Sequence, residues 1–104
     1  MKYKSLANML ASALLLFSMS IFAWGADQGA HLYKKKCSSC HGHHGEGKPA
    51  VKAPALKGTT SSADQIVQQI TKGDPQSKAP HNKAISGIGD EEAKSIAEFI
   101  KTLK

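Results

Sequence analysis

The sequence has no arginine, only two cysteines and few aromatic residues, and each shortage excludes a class of protein. All 14 basic residues are lysines, so the side chain that most often reads DNA bases is missing. Two cysteines are too few for a scaffold of several disulfides. An apolar fraction of 40 % with 6 % aromatics is too low for a polytopic membrane protein and too high for a disordered chain. The 104 residues therefore predict one domain of modest size.

Methionine is also absent from most of the chain, because Met1, Met9 and Met19 are the only three. They lie in a segment that begins with lysines and continues as an uncharged, Leu- and Ala-rich run over residues 5–26. This pattern is typical of a secretory signal peptide. We predict cleavage after Ala23, with cleavage after Gly25 as the alternative, so that residues 1–23 are the signal and residues 24–104 the mature domain.

An uncleaved membrane anchor is the other interpretation of this segment, since an uncharged run of about 22 residues is long enough to span a bilayer. Cleavage would leave a mature protein without methionine. It would also remove 23 of the 104 residues and leave 81, with 12 lysines against 8 acidic residues. A core of that size roughly balances the conformational entropy of its own chain, so we expect an additional stabilising group.

The mature sequence predicts three helices joined by loops rich in glycine and proline. The first runs from Asp27 to about Lys36, with an apolar face at helical spacing. The second follows a capping box formed by Ser62 and Gln65. The third starts at Asp90 in a run of three acidic residues and keeps the helical period to the end of the chain. No useful length alternates with period two, so we predict an all-α fold without a sheet.

The strongest chemical signal is the sequence Cys37-Ser38-Ser39-Cys40-His41. Two thiols at this spacing can form thioether bonds with the two vinyl groups of one haem, and the following histidine can bind the iron. Covalent attachment would also retain the cofactor in a small exported protein. We predict one haem c attached through Cys37 and Cys40, with His41 as the proximal ligand.

Two other interpretations of this motif are open on the residues alone. A redox-active dithiol of the thioredoxin type would need a βαβ context, which the sequence does not predict. A zinc site could draw on Cys37, Cys40, His41, His43 and His44, although no second cysteine pair is present.

The mature chain resembles the class I, single-haem cytochromes c of the short bacterial kind. The resemblance covers residues 26–104 and includes Gly29 and Tyr33, the haem motif with Gly42, the run 54–58, and the last helix up to Phe99. It implies a class I cytochrome c fold with three to four helices around one covalently bound haem. It also implies that the first and last helices cross closely at Gly29, with Tyr33 and Phe99 packed at the crossing.

The resemblance further assigns roles to two residues after the haem motif. The proline in this position of the family offers its carbonyl to the ring N–H of the proximal histidine, which gives Pro54 that role toward His41. Leu56 would then pack on the haem edge.

The sixth iron ligand is where the chain departs from this family, which mostly uses a methionine before the last helix. The matching stretch, residues 78–85, contains His81 where that methionine is expected. We therefore predict His41/His81 coordination. Asn82, Lys78 or Lys83 as a weaker ligand, or a vacant position, are the alternatives. His31, His43 and His44 are predicted to be solvated.

Lysines surround the haem motif, with Lys34, Lys35 and Lys36 before it and Lys48, Lys52 and Lys57 after it. They form either an ordinary solvated face or a basic rim that guides an acidic redox partner, a reductase or an oxidase. Nucleic acid is not an expected partner, and a membrane is expected only through the partner or an uncleaved anchor.

Two functions are compatible with the sequence. The first is a periplasmic one-electron carrier with low potential and two histidine ligands. The second is a haem protein that binds NO, CO or O₂ at an open or displaceable sixth site. No acid–base set accompanies the haem motif, so we do not expect an enzyme.

Overall fold

The computed structural model describes residues 27–104, and the predicted signal peptide lies outside this range. Within it the chain forms helices and loops without a strand, apart from one isolated bridge between Lys48 and Ala53. The helices are α1 over residues 27–36, α2 over Ser38–His41, α3 over Ala63–Thr71 and α4 over Asp90–Thr102, with a 3₁₀ turn at Pro49–Val51. The predicted all-α fold is confirmed, and no helix among these residues is long and apolar enough to cross a membrane.

The short helix α2 continues the direction of α1 into the haem motif. The backbone N–H of Cys37 donates to the Tyr33 carbonyl at 2.8 Å, and the Ser38 hydroxyl donates to the Lys34 carbonyl at 2.6 Å. Gly42, with a φ of 88°, ends α2. The haem motif thus stands at the end of a helix rather than in a free loop.

Local signals explain where α3 and α4 begin. Ser62 and Gln65 form the predicted capping box, each side chain accepting from the backbone N–H of the other. The three acidic residues Asp90, Glu91 and Glu92 occupy the first turn of α4, where the helix dipole favours negative charge.

The core lies where α1 and α3 pack against α4. Its fully buried apolar members are Tyr33, Ile70, Ala93, Ile96, Ala97 and Ile100. Gly29 of α1 faces the last helix so closely that a Cβ atom would lie 2.1 Å from the Ser95 carbonyl oxygen. The rings of Tyr33 and Phe99 pack beside this contact with centroids 5.2 Å apart. The predicted close crossing is therefore confirmed.

Two loops complete the domain. The proximal loop, residues 42–58, follows the haem motif, and the distal loop, residues 74–89, connects α3 to α4 and carries His81. The distal loop lies against α3: the N–H of Ile85 donates to the Ile70 carbonyl at 2.8 Å, and Ile85 and Ile88 pack on the core. The distal loop brings residue 81 close to residue 41 at the end of α2, although the two are far apart in sequence.

Candidate haem site

The two cysteines of the motif lie one helical turn apart, at the junction of α1 and α2. The N–H of Cys40 donates to the Cys37 carbonyl at 3.2 Å, so the two side chains leave the same side of the turn. Cys37 is half-buried against the core, whereas Cys40 is exposed, and no disulfide joins them. Burial raises the pKa of the Cys37 thiol to about 11. This spacing presents two thiols to one ligand from a fixed backbone.

His41 is buried, and its ring is held by a hydrogen bond. The ring Nδ1 donates to the Pro54 carbonyl oxygen at 2.8 Å. Pro54 is itself fixed by the proximal loop, because the Gly45 carbonyl accepts from the N–H groups of Leu56 and Lys57 at 2.7 and 3.0 Å. A hydrogen bond of this kind sets the tautomer and orientation of a metal-binding imidazole. Leu56 lies half-buried at the edge of the core.

The distal loop places His81 directly against His41. The two ring centroids are 5.8 Å apart, with the ring planes tilted by 43°. Burial, and secondly the proximity of His41, lower the pKa of His81, which favours the neutral form of the ring. Its Nδ1 is buried and has no hydrogen-bond partner among the described residues. A neutral imidazole is the form that binds a metal.

These two rings fit a metal ion between them. Imidazole nitrogens bind metals at about 2.0–2.1 Å, and a ring centroid lies about 1.1 Å beyond its nitrogen, so two rings on opposite sides of one ion have centroids roughly 6.3 Å apart. The observed separation of 5.8 Å is slightly shorter than this spacing. The buried Nδ1 of His81 has no partner among the described residues, and it would gain one if this nitrogen bound the metal. The donor set therefore suits a haem iron held from both sides.

The other candidate ligands are placed differently. Asn82, Lys78 and Lys83 are exposed, as are His31, His43 and His44, whose predicted solvation is confirmed. In residues 27–104 no three His, Cys, Asp or Glu side chains come together as a group that could hold a metal ion. The zinc alternative therefore finds no ligand set in this range.

The sequence-based reasoning missed three hydrogen bonds near the site. Glu46 accepts from the N–H of His44 at 2.8 Å, Lys48 donates to the Ser39 carbonyl at 2.8 Å, and Gln69 donates to the His81 carbonyl at 3.0 Å. Backbone hydrogen bonds lower the pKa of Glu46. Only Glu46 has a local partner; no pattern in the sequence links Gln69 to a residue 12 positions later.

The lysines around the motif are exposed. Lys48 reaches across the motif to Ser39, and the Lys36 ammonium lies beside Gly87 of the distal loop. Positive charge therefore borders the site from both the proximal and the distal side.

Comparison with known proteins gives one family. The family model described as cytochrome C oxidase, cbb3-type, subunit III, a c-type cytochrome domain, matches residues 25–100, about three quarters of the chain. Searches of the curated proteins and of the solved structures found no match. Since the matched range contains the helices, the haem motif and His81, this chain belongs to that family of c-type cytochrome domains and carries haem c attached covalently through Cys37 and Cys40.

Proposed function

We propose that this protein is a periplasmic one-electron carrier of low potential, in which His41 and His81 are the two axial ligands of the haem iron. The observation that supports the proposal is the proximity of the two imidazole rings, whose centroids are 5.8 Å apart. When bound, the haem supplies a one-electron couple between ferric and ferrous iron. Membership in a c-type cytochrome family supports electron transfer as the role.

The protein supports this role by holding the side chains of the two histidines in position. His41 is oriented by Pro54 and is shielded from water, since only 7 % of its surface is exposed. His81 enters from the opposite loop, where burial keeps it neutral. Two strong ligands in both oxidation states would keep structural change on electron transfer small, as a carrier requires.

The basic border of the site supports an acidic redox protein as partner. Lys36 and Lys48 flank the haem motif and its exposed Cys40, and Lys34, Lys35 and Lys52 are exposed nearby in the sequence. Complementary charge steers encounter and orients the partner. Export is supported by the uncharged N-terminal run after Lys2 and Lys4.

The assignment of His81 is tested by the spectra of the holoprotein and of His81→Ala. Wild-type protein should be low-spin in both oxidation states and should bind CO slowly, whereas His81→Ala should become high-spin and bind CO rapidly. His43→Ala is the matched control, because His43 is exposed and close to the motif. A low-spin His81→Ala protein with the wild-type spectrum would exclude His81 as the ligand.

A second function, binding of a small ligand such as NO, CO or O₂, is favoured by one observation. The His81 ring has no hydrogen bond to the described protein, unlike that of His41. Rapid, tight CO binding by the wild-type protein would support this function over electron transfer.

A further inference from the structure

The two proposed axial histidines are held in different ways, His41 through its ring and His81 through its main chain. The ring of His41 is fixed directly, through the hydrogen bond from its Nδ1 to the Pro54 carbonyl. The ring of His81 has no such bond, and its Nδ1 is buried without a partner among residues 27–104. Among the described residues, the hydrogen bonds that locate His81 are therefore those of its main chain.

Two donors converge on that main chain. The His81 carbonyl oxygen accepts from the N–H of Asp74 at 2.8 Å and from the side-chain amide of Gln69 at 3.0 Å. Asp74 belongs to the same loop, so its bond closes the loop on itself. Gln69 belongs to α3, and its bond is the one that ties the carbonyl of His81 to a helix.

Helix α3, which carries Gln69, is anchored in the core. Gln69 is half-buried and precedes the buried core residue Ile70. At the end of α3 the backbone of the distal loop lies so close that a Cβ atom on Gly73 would be 2.4 Å from the carbonyl carbon of Lys83. The loop thus lies against the end of α3 just after His81, and Gln69 acts at His81 itself.

We propose that Gln69 is a positioning residue for the distal haem ligand: its side-chain amide holds the His81 carbonyl and so keeps the imidazole at the iron and exogenous ligands out. The inference rests on the proposed axial role of His81. Gln69 does not touch the haem iron in this proposal; it acts by limiting how far the distal loop can swing away.

The test is CO binding to the reduced holoprotein, followed by stopped flow. CO can enter a six-coordinate site only after the distal ligand leaves, so its limiting rate reports how often His81 dissociates. Gln69→Leu removes the donor and should raise this limiting rate roughly five- to tenfold, the factor that corresponds to one lost hydrogen bond. Gln69→Glu keeps the side-chain length without the amide donor and should have the same effect. If Gln69→Leu does not fold, the limiting CO rate of Gln69→Glu tests the proposal.

Gln68→Leu is the matched control, since Gln68 is the exposed neighbour on α3 and its side chain makes no hydrogen bond within the described range. It should bind CO at the wild-type rate. A merely structural role for Gln69 would lower the melting temperature without changing the CO rate, and that result would overturn the proposal.

His81→Ala, measured alongside, separates this proposal from the one on which it rests. If His81→Ala binds CO rapidly while both Gln69 variants bind it at the wild-type rate, His81 is the ligand and Gln69 does not position it. If His81→Ala binds CO no faster than wild type, the axial role of His81 is wrong, and the role of Gln69 is overturned with it.

Discussion

At the scale of the residue, the identity of the sixth ligand is the property with the largest consequence. Axial ligands help set haem potentials over roughly 0.8 V, more than surface charge can achieve. Imidazole donates more strongly to iron than a thioether does and favours the ferric state. If His81 is the sixth ligand, as proposed, this single side chain sets the range of potential in which the protein exchanges electrons.

Replacing His81 by methionine should raise the potential. We expect a shift of roughly 0.2 V, which at about 59 mV per tenfold change in a one-electron couple corresponds to about 5 kcal/mol. Potentiometric titration of the holoprotein measures it, and the ferric spectrum should gain the weak near-infrared band of a sulfur–iron bond. His43→Met introduces the same side chain at an exposed position and should leave the potential unchanged. An unchanged potential in His81→Met would contradict axial ligation by His81.

Tyr33 gives a second prediction at this scale, for alkaline pH. Its side chain is 1 % exposed, its hydroxyl donates to the Gly42 carbonyl at 2.8 Å, and burial raises its pKa from 10.0 to about 12. A raised pKa means that the folded state keeps the proton that the unfolded state loses. The contribution of Tyr33 to stability is therefore complete below pH 10 and is lost as the pH rises from 10 to about 12.

Urea unfolding of holoprotein between pH 8 and 12 checks this prediction against Tyr33→Phe. At neutral pH the variant should be less stable by about 1 kcal/mol, because it lacks one hydrogen bond. The difference in the free energy of unfolding between the two proteins should shrink and then change sign as the pH rises from 10 to about 12. Parallel pH profiles for the two proteins would show that Tyr33 does not titrate as proposed.

At the scale of the element, helix boundaries follow from local signals, whereas the loops do not. The capping box of Ser62 and Gln65 and the acidic start of α4 act within one turn, so they can be read in the sequence. The distal loop is fixed by contacts with α3 that span 12 to 15 residues, such as those of Gln69 and Ile70. Contacts between residues so far apart leave no recognisable pattern in the local sequence.

The approach of α1 to α4 provides a test of helix packing. Gly29→Ala would place a methyl group 2.1 Å from the Ser95 carbonyl oxygen, forcing the helices apart. Alanine gains about 1 kcal/mol over glycine in helix propensity, but we expect overpacking to outweigh this gain and leave a net loss of about 1–2 kcal/mol. Urea unfolding of the holoprotein measures it, with the exposed Gln28→Ala as control. A Gly29→Ala protein as stable as wild type would contradict a close crossing.

At the scale of the whole molecule, the protein core is small. Only six apolar residues among those described are buried, and two of them are alanines. A chain of this size seldom folds on such a core alone. The covalently attached haem adds the apolar surface that the chain lacks.

The apoprotein should therefore be largely unfolded. Expression without haem attachment should yield circular dichroism with little helix and no cooperative melting, whereas holoprotein should melt in one transition. Cys40→Ala, which keeps only one thioether, should retain less haem and lie between the two. A cooperatively melting, fully helical apoprotein would mean that the haem is not required for the fold.

The distribution of lysines over the molecule predicts salt-dependent reactivity. Oxidation of the reduced holoprotein by the ferricyanide anion should be roughly 2–10-fold slower at low salt in the double variant Lys36→Gln/Lys48→Gln. Lys72→Gln/Lys104→Gln removes the same charge from exposed positions that are distant from the motif in sequence, and it should have a smaller effect. The difference should vanish at high salt. Equal effects of both pairs would indicate that net charge, rather than a basic border of the site, controls the encounter.

The sequence by itself determined the haem motif, the helical class and the helix starts, because each depends on residues within a few positions of one another. It also pointed to His81, by the absence of methionine after residue 19. The resemblance to cytochromes c also implied the hydrogen bond between Pro54 and His41, which the structure contains. Only the tertiary structure decided that the His81 ring lies beside His41 and that Gln69 holds the main chain of His81. These features depend on how two loops fold back on the helices, and that arrangement is set by packing between residues distant in sequence.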